Sequence, residues 1–140
     1  MNWKLILQLS LFAVGMGLAT VFFISSNVEP MFWLPILLIC GYLIASHAPG
    51  RLFAHGVALG LVNSFWITVS HILFFTQYIA NHAQEAEAMK SMPLPDSPRL
   101  MMAMVGPVIG LISGIVIGVF AVLAGKFFVK AKGLRTAAHV

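Results

Sequence analysis

The chain has 140 residues, of which 60% are hydrophobic and 9% charged, with a mean hydropathy of +0.97. Soluble domains carry about 25% charged and 45–50% apolar residues, so a soluble enzyme, a disordered tail and a nucleic-acid-binding domain are poor readings. The net charge of +4 rests on eight Lys/Arg and four Asp/Glu, too few for a nucleic-acid face but enough to orient a membrane protein.

A crossing helix needs about 20 mostly apolar residues. The first candidate runs from Leu5 to Ser25 without a charge. It is longer than a signal-peptide core and lacks a clean A-x-A site, so it is read as a retained helix. The second runs from Met31 to about Ser46, opened by Pro30, and Pro49-Gly50 supplies the turn that follows. The third runs from Leu52 to about Phe75. Strong helix formers from Ala83 to Met92 predict that it continues to about residue 90. The prolines of Met92–Pro98 then break it. Ser97 is the expected N-cap of the fourth span, Leu100 to Gly125, with Pro98 in its first turn. Pro35 and Pro107 fall inside spans, where they loosen the helix. The expected fold is all-α: an integral membrane four-helix bundle over residues 1–130, followed by a basic tail over 131–140.

Orientation follows from basic residues near the spans. One side holds Lys4, Arg51, Lys126, Lys130, Lys132 and Arg135 with no acid. The other holds Lys90 and Arg99 with Glu29, Glu85, Glu87 and Asp96. Both termini are therefore expected in the cytoplasm, in a plasma (inner) membrane. Trp3 and Trp33 stand near span ends, at headgroup level. Lys126, Lys130, Lys132 and Arg135 form a juxtamembrane cluster suited to anionic lipid headgroups, at about 1 kcal/mol per residue. His47 and His55 flank the turn with Arg51 and read as further headgroup contacts.

The strongest motif is a stripe. Gly106, Gly110, Gly114 and Gly118 recur every fourth residue of the fourth span. In lipid, apolar burial does not drive helices together, and bare backbone that permits close approach does. Partner surfaces exist on the first helix (Ala13, Gly17, Thr20) and on the third (Gly56, Gly60, Ser64). The stripe fits packing within one chain or assembly with other subunits.

Polar chemistry concentrates in the third helix. Gly60, Asn63, Ser64, His71, Tyr78 and Asn81 share one side by helical angle, and such a lane cannot face lipid cheaply. Asn63, Ser64, Thr68 and His71 form a candidate polar path, with Asn63 near the bilayer centre and His71 near the outer interface. His71, His82 and Glu85 offer donors for a divalent metal. On one straight helix, however, His71 and His82 lie about 16 Å apart, so a complete site needs the loop or a second subunit.

Absences narrow the mechanism. No Asp, Glu, Lys or Arg lies in the core of a span, unlike the usual proton-coupled pump. No catalytic triad, phosphate loop or dinucleotide fingerprint occurs, and the lone Cys40 sits in an apolar span. No cofactor beyond that metal is implied. The leading expectation is a non-catalytic membrane protein that assembles through its glycine-striped helix, with itself or with other membrane subunits. A small oligomeric channel or facilitator along the polar path comes second, and a metal-dependent membrane enzyme third.

Overall fold

The computed structural model describes residues 1–129. Lys130, Lys132 and Arg135 of the expected headgroup cluster, and the tail beyond them, lie outside the described residues. Lys126 is exposed, 5.9 Å from the centroid of the Phe127 ring. The described chain is all-helical, with no strand: α1 Trp3–Phe22, α2 Glu29–His47, α3 Leu52–Leu73, α4 Phe75–Asn81, α5 Ala83–Lys90 and α6 Pro98–Ala124. A π-helical turn, Gly125–Val129, extends α6. Four helices are long and apolar enough to cross a membrane: α1, α2, α3 and α6. Their exposed faces carry large apolar side chains such as Leu11, Leu34, Phe65 and Ile112, compatible with an integral membrane protein.

Local chemistry sets the ends. Asn2 caps α1, its Oδ1 accepting from the Leu5 N–H at 3.2 Å. Glu29-Pro30 opens α2, where the missing proline N–H costs no hydrogen bond. Gly50, at φ +139°, and Arg51, at φ +50°, reverse the chain into α3. Gly50 is there for its backbone. Ser97 stands at the N-cap of α6 as expected, but its hydroxyl makes no capping hydrogen bond.

The third helix departs from expectation. It does not continue as one rod to residue 90; it breaks at Phe74 and again at His82, giving α4 and α5 as separate pieces. Neither break has a proline or glycine. The cause is tertiary, and it appears in the site below.

The largest interface joins α3 to α6, and the glycine stripe makes it. A Cβ placed on Gly56 would lie inside the Gly118 backbone, and one on Gly60 inside that of Gly114 and against the Gly110 carbonyl. Further along, Ser64 packs on Gly110 and Thr68 on Gly106. The ladder on α3 thus grows from glycine to serine to threonine. All four stripe glycines are buried against α3. The face that self-association through this motif would use is already taken within the chain.

Gly17 of α1 packs elsewhere, against Ser70 and Ile67 on another face of α3. Helix α2 lies on α6, with Phe120 over Gly41. At the Gly50 end, Ile6, Leu9, Cys40, Ile44, Leu59, Ile117 and Ala121 close into one apolar cluster. His55 belongs to that end too. It is buried rather than at a headgroup: its Nε2 accepts from the Asn2 N–H at 2.8 Å, and its Nδ1 lies 3.0 Å from the Arg51 carbonyl. One neutral tautomer satisfies both bonds.

Candidate functional site

The opposite half is hollow. A cavity of about 530 Å³ lies among α2, α3 and α6, with α4 and α5 at its open end. That volume falls within the roughly 300–1,000 Å³ of small-molecule sites. Asn63, Ser64, Thr68 and His71, the four residues of the expected polar path, all line it. The period of α3 puts them on one side of that helix, with Ser64 and Thr68 against α6 and His71 turned toward α1.

Their partners differ. The Ser64 hydroxyl donates to the Leu61 carbonyl at 3.0 Å, so it is satisfied within its own helix. Asn63 is 5% exposed, yet its Oδ1 has no hydrogen-bond partner. Leaving a buried amide oxygen unpaired costs about 1–3 kcal/mol. Beside a cavity, such an atom is a candidate acceptor for a hydrogen-bond donor, whether an ordered water or a ligand group.

His71 reaches away from α6 to α1. Its Nε2 lies 2.9 Å from Thr20 Oγ1, and the Thr20 hydroxyl also lies 3.0 Å from the Gly17 carbonyl. A hydroxyl has one proton. With that proton on the carbonyl, the neutral ring donates from Nε2 to Thr20 and keeps Nδ1 as an acceptor.

The breaks at Phe74 and His82 now find their cause. The Tyr78 ring stacks on His71 at 4.0 Å between centroids and on His82 at 4.2 Å, with interplanar angles of 22° and 20°. On a straight helix, residues seven apart are displaced by about 10.5 Å along the axis, so His71 and Tyr78 could not stack. Breaking the helix folds Tyr78 back over His71 and brings His82 behind it. Asn81 fastens the fold, donating from Nδ2 to the Val21 carbonyl at 2.6 Å and serving an orphan group at the end of α1.

Burial, followed by the nearby Glu85 and Glu29 carboxylates, pushes the Tyr78 phenol above its ordinary pKa. It is therefore neutral across the physiological range. His82 is fully buried; its Nδ1 lies 3.0 Å from the Tyr78 carbonyl, and its Nε2 is 3.7 Å from Glu29 without a hydrogen bond.

Two carboxylates stand at the open end. Glu29 Oε1 accepts from the Trp33 indole at 2.9 Å, and Glu85 Oε2 from the Ser26 hydroxyl at 2.5 Å. Glu29, Glu85, Trp33 and Tyr78 line the cavity, as do Met89, Met92, Met101 and Met102. The expected metal trio does not form. Tyr78 stands as a full ring between His71 and His82, and among the described residues no three His, Cys, Asp or Glu side chains converge on a common point.

Sequence reasoning thus found the floor and, at the mouth, Tyr78 and Glu85, the latter assigned to a metal. Glu29 and Trp33 entered it only as a loop charge and an interfacial ring. The density of methionine on either side of the proline-rich connection was the available signal for the rest. No family model matches the chain, and no curated protein or solved structure is significantly similar to it.

Proposed function

We propose that this is a non-catalytic four-helix membrane protein that binds a small molecule in the cavity among α2, α3 and α6, as a facilitator or carrier. The observation behind it is the unpaired Oδ1 of Asn63 beside a cavity that all four residues of the polar path line. With both termini cytoplasmic, as the excess of basic residues at the Gly50 end favours, the mouth opens outward. Where α3 meets α6 below Asn63, the Gly60–Gly114 contact brings the two backbones together. Binding is therefore the first activity to measure.

A homo-oligomer or accessory-subunit role finds less support, because α3 covers the glycine stripe and another face would have to serve. For the enzyme reading, no set of ligands converges among the described residues.

The test is saturable binding of p-hydroxyphenylbutanol, a neutral probe, to protein in dodecyl maltoside, read by emission of Trp33 in a Trp3→Phe/Trp66→Phe background. Saturation in this protein, and its loss in the cavity-filling variant Val105→Phe, is the expected result. Non-saturable partitioning that Val105→Phe leaves unchanged would overturn the reading.

A further inference from the structure

We infer that the cavity takes a small amphipathic organic cation: an ammonium group at the mouth, an apolar body, and an N–H or O–H donor at the far end. The inference rests on the binding reading above and adds the charge and polarity of the ligand.

Charge comes first. The lining includes two carboxylates, Glu29 and Glu85, and no lysine or arginine. The two basic residues of that end are engaged elsewhere. Lys90 pairs with Glu87 at 2.7 Å on the surface, and the Arg99 guanidinium lies 5.3 Å from the centroid of the Phe75 ring. Glu29 has His82 at 3.7 Å, but Glu85 has only the Ser26 hydroxyl, which donates a hydrogen bond without neutralising charge. A mouth so built repels anions and attracts cations.

The walls fit the same ligand. Trp33 presents aromatic surface, which attracts ammonium groups through the ring quadrupole, whereas both faces of Tyr78 are taken by His71 and His82. The methionines around them are unbranched and polarizable, and they adapt to apolar bodies of varied shape.

The floor sets the far end. Asn63 precedes His71 by eight residues of α3, a rise of about 12 Å. Its unpaired Oδ1 requires a donor at roughly that depth below the ring stack, and a wholly apolar ligand would leave it unsatisfied. A free organic amine and the ammonium headgroup of a lipid share the charge. The lipid adds a phosphate, which the carboxylates disfavour.

The experiment compares three probes on one skeleton: p-hydroxyphenylbutylamine, p-hydroxyphenylbutanol and p-hydroxyphenylbutyrate. Each is titrated into the protein in dodecyl maltoside at low salt, with Trp33 emission as the readout. The amine is expected to bind at least about tenfold more tightly than the alcohol, and the butyrate more weakly than either. Glu29→Gln/Glu85→Gln keeps the hydrogen-bond acceptors and should cut the preference for amine over alcohol to below about threefold. Asn63→Leu should erase the advantage of the amine over phenylbutylamine, which lacks the hydroxyl. Thermal melts of each variant establish that it is folded, and Glu85→Gln alone replaces the double variant if that unfolds.

Equal affinity for amine and alcohol would overturn the cationic assignment and leave the binding reading standing. Tighter binding of the butyrate would overturn it likewise. Absence of saturable binding by all three would overturn both. Displacement of the bound amine by added phosphatidylcholine would uphold the ammonium site and assign it to lipid headgroups; retention of the amine assigns it to free amines.

Discussion

The two halves of the α3–α6 interface are built from one repeat and behave differently. At the Gly50 end, glycine meets glycine, backbones touch, and an apolar cluster fills the remainder. At the α4–α5 end the same four-residue step on α3 carries serine and then threonine, and a cavity with a polar floor opens beside them. A change of side chain from none to a few atoms, at constant spacing, turns a seal into a site. Close packing without side chains resists any insertion, whereas a hydroxyl-bearing ladder tolerates space and hydrogen bonds beside it.

The largest expected effect lies in the sealed half. Gly60→Leu drives a side chain into the Gly114 backbone and should cost about 1–3 kcal/mol or more, or prevent folding, as read from thermal unfolding in detergent. Gly15→Leu, where nothing lies within 4 Å, should leave the melting temperature unchanged. Equal sensitivity at both glycines would mean that helix propensity, not contact, is at stake. A middle effect is expected at the ring stack. His82→Ala removes a fully buried ring from Tyr78 and should destabilise by about 1–3 kcal/mol, with a smaller loss for His82→Phe, which keeps the stack.

In the hollow half the sign should reverse. Asn63→Leu removes an orphan polar atom and should stabilise by about 1 kcal/mol in the same assay while weakening probe binding. A destabilised Asn63→Leu would show that the amide is satisfied in solution and would weaken the case for a site. The smallest effect belongs to the turn. Arg51, held at φ +50°, carries left-handed strain, so Arg51→Gly should raise stability by at most about 1 kcal/mol.

Much of this was legible because long apolar helices obey few rules. Uncharged stretches located the four apolar helices, and the four-residue glycine period located a close contact. That period left its partner open, since both α1 and α3 offered small residues; Gly56, Gly60 and Ser64 won because they continue in step along the whole stripe. The side of α3 bearing Asn63, Ser64 and His71 was readable from helical angles, and even Tyr78 joins it, though by a folded route. The breaks at Phe74 and His82 were not readable. Residues 83–90 are good helix formers and do form a helix, α5; what is lost is continuity with α3, and the stacking of three rings that accompanies the breaks has no local sequence signal. Glu29 was hidden for a related reason. Its bond to Trp33, four residues on, follows helical spacing, but its place beside His82 and the cavity depends on residues distant in sequence.

The clamps on α1 carry one more consequence. Both of its ends are tied to α3 rather than to α2, through Asn2 with His55 and through Thr20 with His71. During synthesis, therefore, the first helix enters ahead of the residues that fasten it. It waits beside a second helix that it scarcely touches, and its anchoring completes only after His71 leaves the ribosome. The pair formed by the first two helices is thus the least fastened part of the growing chain.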